Sequence, residues 1–169
     1  MLTVGIVGPE STGKTTLAKG LAEHFNSIWV PEYAREFLSD LGRPYNQEDL
    51  ISIAKGQLDA ERKARRQAKD SLFLDTDLFV IKIWSEFKYG NCDPWILQQL
   101  SMNQANLYFL THFDIPYEED PLRETPEKRP ELFHLYEQAL KESGVLYAVI
   151  QGDERERLET AIQKVNSIL

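Results

Sequence analysis

The sequence predicts an α/β fold in which helices cover both faces of a parallel β-sheet. Two observations support this prediction. Short, uniformly apolar runs alternate along the chain with longer stretches of helical periodicity. A glycine-containing segment, Gly8–Thr15, stands between the first apolar run and the first helical stretch. Alternating elements of this kind pack as a three-layer sandwich, because right-handed crossovers return the chain to the same sheet.

Five apolar runs are predicted to be strands. Each is too short and too uniformly apolar for a solvent-facing antiparallel strand, which favours central positions in a parallel sheet covered on both sides. In chain order they are Leu2–Val7, Ser27–Val30, Ser71–Leu74, Asn106–Leu110 and Val145–Ile150.

Capping residues delimit the helices between these strands. Asn46 precedes an acidic first turn, Asp153 stands three residues before Glu156 as in a capping box, and Gly42, Gly90 and Gly144 follow predicted helix ends. Helices are expected over Lys14–Phe25, Tyr33–Leu41, Asn46–Lys69, Leu78–Tyr89 and Pro130–Lys141, and from Asp153 onward with Leu158, Ile162, Val165 and Leu169 on one face.

The stretch Thr111–Pro130 differs from the rest of the chain. It combines four prolines with a cluster of acidic residues and three basic ones. Long irregular insertions in a small domain are usually functional or mobile. We interpret this stretch as a lid, with a solvated connection as the alternative.

Length and composition limit the domain number, the partners and the location that we expect for this chain. The chain of 169 residues is expected to form one domain, 1–169. Its formal charge of −8 argues against nucleic acid or an anionic membrane as a partner. Cys92 is the only cysteine, and neither a signal peptide nor a membrane span is recognised, so a cytoplasmic location is expected. No oligomeric state can be predicted.

The segment Gly8–Thr15 matches the phosphate-loop pattern G-x-x-x-x-G-K-[ST] in full, between a predicted strand and a predicted helix. Backbone N–H groups of such a loop and the following helix N-terminus cradle phosphates. Lys14, expected to be exposed in the empty loop, would bridge the β- and γ-phosphates of ATP, and the Thr15 hydroxyl would ligate Mg²⁺. The predicted nucleotide-binding residues here are Gly8, Pro9, Glu10, Ser11, Thr12, Gly13, Lys14, Thr15 and Thr16.

Carboxylates follow the second and third predicted strands. Asp75 and Asp77 lie after the third, and Glu32 follows the second with Arg35 one helical turn on. Ligands of open parallel sheets bind beyond the carboxyl ends of the strands, so these side chains should face the phosphates. Asp75 could hold Mg²⁺ or take a proton; alternatively Asp75 or Thr76 only caps the next helix. Glu32 and Arg35 could serve the acceptor or form a surface ion pair.

Other candidates come from the predicted lid and from the aromatic residues. Arg123 and Arg129 could neutralise charge on the transferring phosphoryl group and bind the nucleotide, whereas Lys128 is expected to be solvated. Tyr33 and Tyr89 are the preferred aromatics for stacking on a substrate ring, while Trp84 is expected to belong to the core.

The motifs favour a small-molecule kinase among phosphate-loop proteins. A GTPase is excluded because the chain lacks the guanine-reading N-K-x-D sequence. An AAA or helicase-type motor is disfavoured, because the third strand ends in Leu74-Asp75-Thr76 and not in an Asp-Glu pair.

Four segments together resemble the ribosylnicotinamide kinase domain of NadR-type proteins. They are Gly8–Thr16, Val30–Phe37, Leu74–Asp77 and Ile115–Arg123, in an order and spacing that span most of the chain. The resemblance implies a nucleoside-kinase-like P-loop fold with a five-stranded sheet of order 2-3-1-4-5. It also implies ATP-dependent phosphorylation of nicotinamide riboside in NAD salvage. The adenylyltransferase and DNA-binding domains of larger members are not recognised in this sequence.

By analogy with deoxynucleoside kinases, Glu32 is assigned as general base and Asp75 as metal partner, although the sequence leaves open which of the two is the base. The expected site therefore has Lys14, Glu32, Asp75 and Arg123 as catalytic residues. Thr15 and Asp75 are the expected metal ligands. The expected substrate-binding residues are Glu32, Tyr33, Arg35, Asp77 and Tyr89. Two alternatives remain, a kinase for another nucleoside or cofactor precursor and an ATP-binding regulator without kinase activity.

Overall fold

A central sheet of five parallel strands organises the chain, and the computed structural model describes all residues from 1 to 169. The strand order is β2-β3-β1-β4-β5, as the resemblance implied. The strands are β1 (Leu2–Val7), β2 (Ile28–Val30), β3 (Ser71–Asp75), β4 (Leu107–Thr111) and β5 (Tyr147–Ile150).

Seven α-helices connect and flank the strands. They are α1 (Lys14–His24), α2 (Tyr33–Asp40), α3 (Gln47–Arg65), α4 (Leu78–Tyr89), α5 (Pro94–Met102), α6 (Arg129–Ser143) and α7 (Glu154–Asn166). Capping boxes at Asn46 and Asp153 start α3 and α7, and left-handed glycines follow α4 and α6, as the sequence predicted. None of these helices is long and apolar enough to cross a bilayer.

Two apolar layers hold the helices against the sheet. One face packs on α1 and α7, where Leu21 and Val165 meet Ile6 and Phe109. The other face packs mainly on α3 to α6, with Phe79 and Tyr108 at the centre of its core. Because helices cover both faces, every residue of β1, β3 and β4 is buried, which explains their unbroken apolar runs.

Several sequence-based boundaries need correction. Helix α5 was not predicted at all, although Asp93 caps it and Pro94 opens it. Thr111 is the last residue of β4, so the predicted lid begins at His112, and a 3₁₀ turn with α6 occupies its end. Helix α3 ends at Arg65, four residues early, and Leu169 lies beyond α7 and is exposed instead of sharing its apolar face.

Candidate active site

The phosphate loop after β1 has the backbone that its glycines predict. Gly8 and Gly13 have φ values of 144° and 80°, in the left-handed region that side chains disfavour. A Cβ at Gly8 would lie 2.5 Å from Thr111 Oγ1, so only glycine lets the loop pass this close to β4. Thr12 Oγ1 donates to Pro9 O at 2.7 Å and lies 2.7 Å from Thr111 Oγ1. These contacts fix the loop from within and against the neighbouring strand.

Lys14 is half-buried and bonded, so the expectation that it would be exposed is wrong. Its Nζ donates to Gly8 O at 3.0 Å and to Pro9 O at 2.7 Å, because its own loop supplies free carbonyls. Burial lowers the pKa of Lys14, while the carboxylates of Glu32 and Asp75 oppose that shift. The ammonium group thus lies inside the loop, where the negative charges of both carboxylates stabilise its positive charge.

Thr15 and Asp75 form a bonded pair beside the loop. Thr15 Oγ1 donates to Asp75 Oδ2 at 2.6 Å. Asp75 is buried, and its other carboxylate oxygen, Oδ1, has no hydrogen-bond partner. Burial raises the pKa of Asp75, although the Thr15 bond and Lys14 counteract the shift. An unpartnered carboxylate oxygen next to a hydroxyl is a donor set that suits Mg²⁺, which prefers oxygen ligands.

Glu32 lies at the end of the β2–α2 loop and lines the same cavity as Asp75. It occupies the N-cap position of α2, yet its side chain caps nothing. Burial raises the pKa of Glu32, and Lys14 lowers it in part. Arg35 Nε lies 3.5 Å from Glu32 Oε2, and Arg35 NH1 donates to Asp120 at 2.8 Å. Arg35 therefore connects this carboxylate to the segment that was predicted to be a lid.

A cavity of about 790 Å³ joins these groups. Its lining includes the phosphate loop, Glu32 and Asp75. Helices α1 and α7 contribute Leu17, Gly20 and Leu158. Helices α2, α4 and α6 contribute an apolar and partly aromatic lining of Leu38, Val80, Ile83, Trp84, Phe87, Leu132 and Tyr136. This volume and lining are typical of a small-molecule site.

Residues 112–128 lie across the phosphate loop and close one side of the cavity. Glu118 N donates to Ser11 Oγ at 2.8 Å, and Glu124 N donates to Glu10 Oε1 at 3.3 Å. Arg123 lines the cavity while its guanidinium donates to the carbonyl of Glu118. The segment therefore contacts the phosphate loop, and its role as a lid stays a prediction.

Arg129, predicted to bind nucleotide, instead braces the lid. Its NH1 donates to Ser11 O at 3.1 Å and to Ile115 O at 3.0 Å, and it does not line the cavity. The guanidinium is thereby occupied by backbone carbonyls. Its contribution to the site is to hold the lid base against the phosphate loop.

Two of the predicted substrate-binding residues, Asp77 and Tyr89, lie outside the main cavity, contrary to that prediction. Asp77 is buried and is the residue that caps α4, because Oδ1 accepts from Phe79 N at 2.8 Å; Oδ2 accepts from the Tyr108 hydroxyl at 2.7 Å. The helix cap is thus neither Asp75 nor Thr76. Tyr89 packs against the core. Tyr33 also packs there, and it lines a smaller pocket of about 440 Å³ that shares Glu32 and Asp75 with the main cavity.

Sequence reasoning missed the aromatic residues that do line the cavity. Trp84 and Phe87 lie one turn apart on α4, and Tyr136 lines the cavity from α6. Trp84 is therefore a cavity residue and not only core, and its Nε1 donates to Tyr45 OH at 3.0 Å. The three-residue spacing on the helix after Asp75 was an available signal.

Arg157 was also missed, since it lies 145 positions from its contact in the phosphate loop. It is buried on α7, and NH1 donates to Thr12 O at 2.6 Å. NH2 donates to His112 O at 2.8 Å and pairs with Asp114. One guanidinium thus connects the phosphate loop to the base of the lid, and no local pattern could have indicated it.

Comparison with known families gives a match over most of the chain. A family model described as "AAA domain" matches residues 3–157. The missing Asp-Glu pair after β3, which disfavoured an AAA-type motor, therefore does not exclude this chain from the family.

Two curated relatives are proteins of NAD metabolism. The "Trifunctional NAD biosynthesis/regulator protein NadR" of Escherichia coli (strain K12) is 27% identical over 158 residues, which cover 90% of this chain. The protein of the same description from Salmonella typhimurium (strain LT2) is 28% identical over 155 residues, or 88% of this chain. The matched region spans 38% of each relative's length.

Solved structures agree with the fold. A NadR protein in complex with NR superimposes with a TM-score of 0.77 at 25% identity, covering 98% of this chain and 49% of that chain. A NadR complex with NAD and AMP-PNP gives a TM-score of 0.76 with the same coverage and identity. A deoxyadenosine kinase from M. mycoides, at 16% identity and a TM-score of 0.69, covers 98% of this chain and 100% of that chain and shares the fold.

Proposed function

The chain belongs to the AAA domain family, and we propose that within it the protein is an ATP-dependent kinase that phosphorylates nicotinamide riboside to nicotinamide mononucleotide. The observation that carries the kinase proposal is one cavity lined by a complete phosphate loop, the carboxylates Glu32 and Asp75 and apolar and aromatic side chains. A protein that only bound ATP would need no acceptor site with a carboxylate beside the phosphates. The acceptor is proposed from the NadR relatives, one of which was solved with NR.

The phosphate loop would bind the ATP phosphates. The backbone N–H groups around Gly13 and the N-terminus of α1 attract anions, and Lys14 supplies a positive charge between loop and carboxylates. Phosphates entering the loop would take over the Nζ contacts that Gly8 O and Pro9 O now hold. Phosphoryl transfer depends mainly on such positioning and charge neutralisation.

Thr15 and Asp75 are the residues that would hold Mg²⁺, and the ion would neutralise charge on the phosphates and orient them. Thr15 Oγ1 donates to Asp75 Oδ2, so the two oxygens are already adjacent. The buried, unpartnered Asp75 Oδ1 is the second oxygen available at this position. We therefore assign metal holding to Asp75, and this assignment leaves Glu32 free for proton transfer.

Glu32 would accept the proton of the acceptor hydroxyl. It faces the cavity beside Lys14, and its side chain makes no helix cap that would occupy it. Arg35 keeps the carboxylate oriented from one side and ties it to Asp120 of the lid. The flat ring of the acceptor would lie toward Trp84, Phe87 and Tyr136, where aromatic faces line the cavity.

A panel of nucleosides incubated with ATP and Mg²⁺ tests the function directly, with products identified by mass. We expect nicotinamide riboside to give the monophosphate at the highest kcat/KM. Preferential phosphorylation of another nucleoside would contradict the acceptor assignment. Absence of phosphoryl transfer to every member of the panel would contradict the kinase.

Replacing Asp75 with asparagine is expected to raise the Mg²⁺ concentration for half-maximal activity by roughly 10- to 100-fold, the usual range for disturbing a metal's supporting groups. The amide removes the charge that faces the Thr15 hydroxyl. Activity is titrated with Mg²⁺ at saturating substrates. Asp70→Asn, an exposed change just before the other end of the same strand, is the control and should leave the curve unchanged. An unaltered Mg²⁺ requirement in Asp75→Asn would void the metal role.

Arg123→Ala is expected to lower turnover by roughly 10²-fold while changing the binding of either substrate far less. The guanidinium lines the cavity from the lid, so its charge acts on the phosphates when the lid is closed. Steady-state kinetics separate kcat from KM, and nucleotide binding is measured by calorimetry. Lys128→Ala, which removes an exposed charge at the end of the same segment, should behave as wild type. Equal losses in binding and in kcat/KM, with kcat unchanged, would contradict this role.

A further inference from the structure

One buried side chain outside the cavity forms hydrogen bonds with the backbone of the residue that follows Glu32 and of the residue that follows Asp75. Gln57 lies on α3 with 2% of its surface exposed. Its amide contacts Tyr33 N, in the peptide that follows Glu32, and Thr76 O, one residue beyond Asp75. These two backbone groups lie at the β2–α2 loop and the β3–α4 loop. No other helix residue between β2 and β3 makes side-chain hydrogen bonds to both of these loops.

The orientation of the Gln57 amide follows from its partners. Tyr33 N–H can only donate, so the amide oxygen must face it, and Oε1 accepts at 3.0 Å. The amide nitrogen then faces Thr76 O and the carboxylate oxygen Oε1 of buried Glu61, each at 3.5 Å, the upper limit of a hydrogen bond. Both ends of the amide are therefore used, and a buried polar group used in this way is costly to remove.

The two loops joined by Gln57 are held in unusual positions. Thr76 has a φ of 71°, in the left-handed region that a β-branched residue rarely adopts. Its N–H continues the β1–β3 ladder by donating to Ile6 O at 3.0 Å, so the strained turn follows Asp75 immediately. On the other side, α2 starts so close to α3 that a Cβ at Gly56 would overlap the Tyr33 ring.

We propose that Gln57 is a positioning residue that fixes the β2–α2 loop and the β3–α4 loop relative to each other, and thereby holds Glu32 and Asp75 in register across the reaction site. The proposal deepens the proposed function and rests on it for its kinetic readout. The Gln57 side chain makes no hydrogen bond to the phosphate loop. Its loss should therefore affect the chemical step and leave nucleotide binding in place.

Gln57→Met tests this, because methionine keeps the volume and removes both hydrogen-bonding ends. We expect kcat to fall by roughly 10²-fold, the effect of about 1 Å misplacement, with the Kd for ATP nearly unchanged. Gln57→Glu keeps the acceptor for Tyr33 N–H, and burial favours its protonated form, whose O–H can donate to Thr76 O. This variant should recover most of the turnover.

Thr3→Val is the matched control. Thr3 is buried near the amino-terminal end of the central strand β1, and its hydroxyl accepts from Arg65 of the same helix α3. The change breaks a buried tie between α3 and the sheet without touching either carboxylate loop. We expect a loss of stability in thermal unfolding and wild-type kcat.

A substrate-free measurement separates this proposal from the proposed function. Carbon-13 NMR at fixed pH, with glutamate and aspartate labelled in their carboxyl groups, reports the surroundings of Glu32 and Asp75. Gln57→Met should shift both signals, and Thr3→Val should shift neither. Unchanged signals in Gln57→Met overturn the proposal whether or not nicotinamide riboside is the acceptor, and so does a wild-type kcat. Should the wild type phosphorylate another acceptor, the kinetic comparison is made with that acceptor.

Discussion

Lys14→Ala is expected to reduce phosphoryl transfer by at least about 10²–10³-fold, the usual cost of deleting one preorganised charge or donor at a transition state. The Nζ group lies within the loop, bonded to Gly8 O and Pro9 O, and we propose that it is the cation that neutralises the bound phosphates. Alanine removes that charge and keeps the helix, because it is the best helix-forming residue. Single-turnover kinetics with saturating ATP measure the loss.

The fold of this variant should persist, because Lys14 bonds only to carbonyls of its own loop. Circular dichroism and thermal unfolding verify this. Lys63→Ala, an exposed position on α3, removes the same charge far from the loop and should leave turnover unchanged. Normal turnover in Lys14→Ala, or its unfolding, would contradict the assignment of the loop.

The sheet could be predicted from the sequence because burial on both faces leaves a signature in each strand. Leu2–Val7 was predicted with its observed bounds, and the other strands differ by one or two residues at one end or, for β4, by one residue at both ends. The strand order came from family resemblance, since no local pattern encodes which strands are neighbours. Helix α5 escaped because only Ile96 and Leu100 of its nine residues are buried, too few to produce a clear period.

The site residues also fall into two groups, those that a local sequence pattern predicts and those that are placed by tertiary contacts. The phosphate loop is a local structure whose glycines and lysine are adjacent in sequence, so its pattern predicts its geometry. Residues that act through tertiary contacts gave no such signal. Arg157 reaches the loop from α7, and Gln57 joins two loops from a third element. Asp77 is the opposite case, a residue whose sequence position suggested a role in the site. Its carboxylate oxygens instead accept hydrogen bonds from the start of α4 and from the Tyr108 hydroxyl.

Glu32 has the surroundings that a general base requires. Burial raises its pKa, and Lys14 limits the rise by stabilising the ionised form. A base must be deprotonated to accept the hydroxyl proton, so kcat should fall as the pH drops through the pKa of Glu32. Because burial raises that pKa, the decline begins at a higher pH than it would for an exposed glutamate.

Glu32→Gln is expected to lower turnover by roughly 10²–10⁴-fold, the usual range for general-base assistance, with little change in ATP affinity. Glutamine keeps the shape and the contact with Arg35 but cannot accept the proton. The acidic limb of the pH–kcat profile that Glu32 causes should vanish in this variant. Glu36→Gln, an exposed change on the same helix, removes the same charge and should retain both turnover and the profile. A Glu32→Gln enzyme with wild-type turnover would transfer the base role away from Glu32, and a loss seen only in ATP binding would place this carboxylate in the nucleotide site.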